Sequence, residues 1–352
     1  MTRVTVATIA ACLAWIGVGS VPGSATDAAE GSVHTTELTG EMIAAPSHST
    51  DGPELIDPEL PAYEPVKGIS GDIKSVGSDT MLNLMGTWAE AFGNFYPGVR
   101  VQVEGKGSST APPALMEGQS QFGPMSRAMD PKEIDEFREK FGYEPTELRV
   151  AIDCVAVFVN KDCPIEEISL DQLVRVFSIA GDEVTWGDLG VTDRAWASRP
   201  VSVYGRNSAS GTYKFFKKMA LDGQDFKPTV KEQPGSSGVI QAIATDPYAM
   251  GYSGVGYLTT GVKTVAVSIE TGDDAFDPNA ENAVSGDYPL ARFLYVYMNH
   301  DRLSELDALR AEFVRMMFSR EGQEGVLKDG AYPIPASVAR EELEVVGLEP
   351  GF

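Results

Sequence analysis

Three short segments of the chain carry residues whose types and spacing suit the binding of an anion. The most complete is Gly205-Arg206-Asn207-Ser208-Ala209-Ser210-Gly211-Thr212, followed at once by the helical pattern of Tyr213-Lys214-Phe215-Phe216. A helix start offers unpaired backbone N–H groups and the positive end of the dipole, and Arg206 adds a permanent, forked cation. A helix cap alone accounts for neither the arginine nor Gly211. The second segment is Gly105-Lys106-Gly107-Ser108-Ser109-Thr110-Ala111-Pro112-Pro113. Its glycines let a backbone come close, hydroxyls follow, and proline opens a helix where its missing donor does no harm. The third is Gly77-Ser78-Asp79-Thr80, in which serine, aspartate and threonine are all helix-capping types. Singly, the last two read as capped helices; three such segments in one chain favour an oxyanion site.

Other chemistry is poorly supplied. The only histidines are His34, His48 and His300, which argues against histidine catalysis and histidine-rich metal sites. No Gly-x-Ser-x-Gly elbow occurs, since Gly251-Tyr252-Ser253-Gly254 breaks the spacing. With 28 basic and 51 acidic residues the net charge is −23, so nucleic acid and anionic membranes are poor partners. An anion would have to be held by local dipoles and hydroxyls against the field of the whole molecule.

The elements that position these loops alternate, as in a sheet with helices on its faces. Strands are expected at 74–76, 99–103, 150–159, 201–204 and 293–297, and helices at 80–92, from about 112, at 170–177, 213–221 and 303–317. Helix 80–92 places Met81, Leu84, Met85, Trp88 and Phe92 on one face. The run 150–159 is apolar apart from Asp153, the pattern of a strand buried on both sides. Loops that lead from strand to helix lie at the carboxyl ends of the strands, where ligands of such sheets bind.

At 352 residues, two lobes or domains are expected. Residues 1–25 hold one base, Arg3, then an apolar run and the small residues Gly23-Ser24-Ala25, which is the pattern of a cleaved export signal. Ile9-Ala10-Ala11-Cys12 nominally fits a lipidation box, but the apolar run continues past Cys12, so cleavage near Ala25 is favoured. Residues 26–70 carry nine acids against Lys67, with five prolines and one aromatic, and read as a flexible acidic tether. Cys154 and Cys163 are expected as two buried thiols. An extended strand over 154–159 spans about 16 Å at ~3.3 Å per residue, and four residues hardly return to bonding distance.

Taken together, Ser210-Gly211-Thr212 four residues after Arg206, the turns Gly107-Ser108-Ser109 and Gly77-Ser78-Asp79-Thr80, and Phe122-Gly123-Pro124-Met125-Ser126-Arg127 resemble phosphate-binding proteins of ABC transporters. The resemblance runs from about residue 73 to 338. It implies a periplasmic-binding-protein type II sandwich: two α/β lobes joined by hinge strands, with the ligand cleft between them. Lobe 1 would hold 71–153 plus about 296–352, and lobe 2 about 154–295. By position it implies phosphate contacts from Ser78, Asp79, Thr80 and Met81, from Ser108, from Ser126 and Arg127, and from Arg206, Ser210, Gly211 and Thr212. Some members carry an aspartate where this chain has Arg127, so the acceptor of the ligand's proton would be Asp153 or Asp79. Asp153 has an equally good structural explanation, a salt bridge with Arg127 or Arg206. The implied protein is a monomer without enzymatic activity, cofactor or metal, its partners inorganic phosphate and a membrane permease. Binding of another tetrahedral oxyanion such as sulfate or molybdate, or a sensor role without transport, are the alternatives.

Overall fold

The computed structural model describes residues 55–352. The export signal, Cys12 and most of the expected tether lie outside the described residues. In chain order the elements are β1 (Gly71–Gly77), α1 (Leu82–Phe95), β2 (Val99–Gly105), α2 (Ala111–Met116), β3 (Gly123–Met125), α3 (Pro131–Phe141), β4 (Thr146–Asn160), β5 (Glu167–Ser169), α4 (Leu170–Phe177), β6 (Ser202–Arg206), α5 (Gly211–Ala220), β7 (Lys231–Gln233), α6 (Gly235–Thr245), β8 (Ala249–Gly254), β9 (Val262–Ser268), α7 (Ala280–Ser285), β10 (Ala291–Met298), α8 (Ala308–Met317), α9 (Arg320–Lys328) and α10 (Ala336–Val345).

One strand organises the molecule. The first half of β4, Thr146 to Cys154, pairs antiparallel with β10, and its second half pairs with β8 on one side and β9 on the other. β10 continues to β3, which touches the parallel pair β1–β2 through a bridge between Ser75 and Phe122. β8 continues to β6 and β7, and β9 to β5. Two α/β lobes therefore share β4, and the partners change at Cys154/Val155. From Val150 to Asn160 every residue of β4 is buried, which is why the sequence there is almost wholly apolar. Asp153 is the exception within the strand, Asn160 being its last residue, and it sits at the crossing.

The helices follow their apolar stripes. Leu84, Trp88 and Phe92 of α1 recur every fourth residue and are fully buried, as is Met85. α3 is set by a capping box between Asp130 and Glu133, and Gly142, at φ 81°, ends it.

Two expectations are corrected. Residues 55–70 are not a free tether: Leu60 and Tyr63 are buried, and the Tyr63 hydroxyl bonds to Tyr96 and Glu312 at 2.7 Å each. Asp57 accepts from the Ala336 N–H at the start of α10, and Pro61 O accepts from Arg320 N. The acidic composition hid two apolar anchors and a carboxylate placed at a helix dipole. The helix expected from 303 also begins later, at Ala308, because the Asp307 side chain caps it by accepting from Arg310 N, and Leu303 is left 96% exposed. Two further helices, α9 and α10, then complete the chain. Cys154 and Cys163 are free and buried, as expected.

Candidate functional site

The three loops meet between the lobes, and most of their cap-type side chains do not cap. In the first, α1 starts only at Leu82 with buried Met81 at its cap position, and no side chain closes its N-terminus. Ser78, Asp79 and Thr80 are thus released for other uses. Asp79 Oδ2 accepts from Arg206 Nη2 at 2.9 Å, and Thr80 Oγ1 lies 2.9 Å from Thr212 Oγ1. Ser78 Oγ is buried and makes no hydrogen bond. In the second loop, Gly107 adopts φ 95° and Ser108 opens a 3-10 turn without a side-chain cap. Ser108 Oγ accepts from Ser126 N at 3.0 Å and sits 3.3 Å from Ser126 Oγ.

Only the third loop caps its helix: Ser210 Oγ accepts from Tyr213 N at 3.4 Å. Gly211 is required by proximity, since a Cβ there would come within 2.3 Å of Ser108 Oγ and 2.7 Å of Ser126 Oγ. The N-terminus of α5 therefore faces two serines of the opposite lobe. Ser109 N donates to Ala209 O at 3.1 Å, another bond between the lobes. All the hydroxyls concerned, from Ser78, Thr80, Ser108, Ser126, Ser210 and Thr212, are buried.

Two arginines complete the site. Arg206, 1% exposed, donates from Nη1 to Ser236 Oγ at 2.7 Å and from Nη2 to Asp79. Burial pulls its pKa down, against the attraction of Asp79. Asp153 does not pair with Arg127 or Arg206. Its partner is Arg292 on β10, its direct neighbour in register, whose Nε and Nη2 donate to Asp153 Oδ2 at 3.0 and 2.7 Å. Arg292 Nη2 also reaches Thr212 Oγ1 at 3.0 Å. Burial pushes the Asp153 carboxyl up, while Arg292 and the backbone N–H groups of Val255 and Cys154 pull it down.

Arg127 is drawn elsewhere. Its two Nη atoms bind the Glu133 carboxylate at 2.8 and 2.7 Å, so it fastens the start of α3 and touches the second loop only through Ser109 Oγ at 3.4 Å. The sequence reading missed Arg292, although it interrupts an apolar strand just as Asp153 does. It also missed Tyr257, whose hydroxyl donates to the carbonyl oxygens of Asp79 at 3.0 Å and Thr80 at 3.1 Å, and Tyr252, whose hydroxyl accepts from Arg206 N at 3.3 Å. No group of three His, Cys, Asp or Glu side chains able to hold a metal occurs among the described residues.

What the arrangement offers is a buried cluster of a helix start, hydroxyls and two paired arginines, drawn from loops that touch one another. Such donors suit a compact oxyanion. Residues 47–321 match the PBP superfamily domain. The chain is 47% identical over 313 residues to the phosphate-binding protein PstS of Pseudomonas aeruginosa, covering 87% of this chain and 97% of that one. It is 30% identical to the phosphate-binding protein PstS of Bacillus subtilis, over 75% and 80% of the two chains. Among solved structures it resembles a Clostridium perfringens substrate-binding protein with bound phosphate (TM-score 0.63, 23% identity, 75% of this chain and 100% of that one). An ABC-type phosphate transport receptor from Vibrio cholerae gives a TM-score of 0.60 at 20% identity, over 74% and 100%. The structural likenesses speak to the fold.

Proposed function

The chain belongs to the PBP superfamily and, within it, to the family of phosphate-binding proteins PstS, and from that premise we propose that it captures inorganic phosphate in its interlobe cleft, outside the cytoplasmic membrane, and hands it to the permease of an ABC transporter. The single observation that carries the reading is the meeting of three strand-to-helix loops from both lobes in one buried cluster of hydroxyls and arginines. Ligand held by both lobes favours the closed form, because contacts from both exist only there. The closed form is then what a permease reads. The role is capture without turnover, by a monomer whose amino-terminal 25 residues act as the export signal.

Selectivity over sulfate rests on an aspartate. Phosphate near neutral pH keeps a proton and can donate a hydrogen bond, sulfate cannot, and a carboxylate only accepts. Of the two candidates, Asp79 suits the task better. Asp153 is already served by Arg292 and two backbone N–H groups, whereas Asp79 accepts from Arg206 through Oδ2 and stands in the first loop. The experiment is calorimetry of the purified mature protein with phosphate, arsenate and sulfate. Stoichiometric phosphate binding with sulfate at least about a hundredfold weaker is expected, about 2.7 kcal/mol. Equal affinities would remove the aspartate argument, and no binding of phosphate would remove the function.

A further inference from the structure

Resting on the reading of the cleft as a phosphate site, we propose that Arg292 is a second anion-binding arginine, donating from Nη1 to the bound phosphate at the root of the cleft. Its placement carries the first part of the argument. Arg292 stands opposite Asp153 at the level where β4 leaves β10 and takes β8 and β9 as partners, so it is mounted on the strands that join the lobes. Its guanidinium is one hydrogen bond from Thr212 Oγ1, which is one hydrogen bond from Thr80 Oγ1 on the other lobe. It therefore belongs to the buried cluster of side chains in which the loops meet.

The second part is an unanswered donor. Arg292 is 4% exposed, its Nε and Nη2 are engaged, and its Nη1 is buried without a partner. A buried charged donor left unpaired costs more than a neutral one. Arg206 repeats the pattern, with Nη1 and Nη2 engaged and Nε buried and unpartnered. Each arginine is thus balanced by one aspartate and keeps one guanidinium nitrogen in reserve. A ligand with several oxygen acceptors would satisfy both, together with Ser78 Oγ.

The competing explanation is that Arg292 serves only to neutralise buried Asp153. A double-mutant cycle separates the two, because a role exercised through Asp153 disappears when Asp153 is neutral, and a direct contact does not. Phosphate is titrated into the full mature chain and its D153N, R292Q and D153N/R292Q variants, with unliganded thermal unfolding recorded for each. In the Asp153→Asn background, Arg292→Gln is expected to weaken phosphate by a further thirtyfold or so, on a scale where tenfold is about 1.4 kcal/mol. A further loss below about threefold overturns the proposal. Should the chains carrying D153N not fold, Arg292→Lys decides, since it keeps the cation beside Asp153 and removes the fork. A loss of about tenfold or more at a nearly unchanged unliganded melting temperature supports a direct contact, and unchanged affinity contradicts it. If the unaltered protein takes up no phosphate at all, the reading of the site has failed, and not the assignment of Arg292 within it.

Discussion

Arg206 and Arg292 are both buried and each is paired with an aspartate, yet the two pairs are mounted differently. Arg206, at the end of β6, and Asp79, in the first loop, come from opposite lobes, whereas Arg292 and Asp153 are register partners on β10 and on β4, the strand both lobes share. Parting the two loops would break the first pair, whereas the second is fixed by strand pairing. The hydroxyls of Thr80 and Thr212 link the two, through Arg292 Nη2 on one side and the first loop on the other.

Breaking the first pair is the most damaging change expected. Arg206→Ala leaves Asp79 facing the ligand without its partner, and truncating one half of a buried ion pair at an interface costs about 2–5 kcal/mol. Phosphate affinity is expected to fall by more than about a hundredfold in a calorimetric titration. Lys106→Ala is the matched control. Lys106 lies in the second loop, but its side chain is 61% exposed and bound to Glu104, so its removal is expected to change affinity less than about threefold. Equal effects of the two changes would sink the assignment of Arg206.

A smaller effect is expected from Gly211→Ala, which tests the approach of the lobes without touching a charge. The added methyl must displace Ser108 and Ser126 before the lobes can meet as they do here. Affinity should drop about ten- to a hundredfold while the unliganded melting temperature barely moves, since overpacking costs about 1–3 kcal/mol and here falls on the closed form alone. A silent Gly211→Ala would mean that α5 does not close against the second loop.

How far the sequence could be read depended on how local each signal was. The three loops were legible because glycine, hydroxyl residues and a helix start stand within a few positions of one another. Cap-type residues alone did not say whether they cap: Ser210 does, and Asp79 does not, because Arg206, 127 positions away, takes its carboxylate. The Arg292–Asp153 pair spans 139 positions: Asp153 was visible as a polar interruption of an apolar strand, while Arg292 fell just before the strand expected at 293–297, and their pairing was not legible. Arg127 shows the same limit: its neighbour in the motif pointed to the ligand, and the motif gave no sign that Glu133, six residues on, holds both of its Nη atoms at the start of α3. Composition misled at 55–70, where the acids of the longer segment outweighed the two residues, Leu60 and Tyr63, that bury themselves on lobe 1.

The smallest expected effect is also the sharpest test. With a net charge of −23, long-range attraction cannot supply the affinity for an anion, which must come from short bonds in a space closed to solvent. Salt screens exposed charges beyond about 10 Å at roughly 0.1 M and hardly reaches a buried, multiply bonded ligand. The measurement is the phosphate dissociation constant as sodium chloride rises from low to physiological concentration, at a fixed pH well above the ligand's second ionisation so that its protonation does not drift. A closed cleft built on Arg206, Arg292 and the three loops predicts an affinity that is flat or slightly improved across the series. A weakening of about tenfold would contradict it, because only an open basic surface loses an anion in that way.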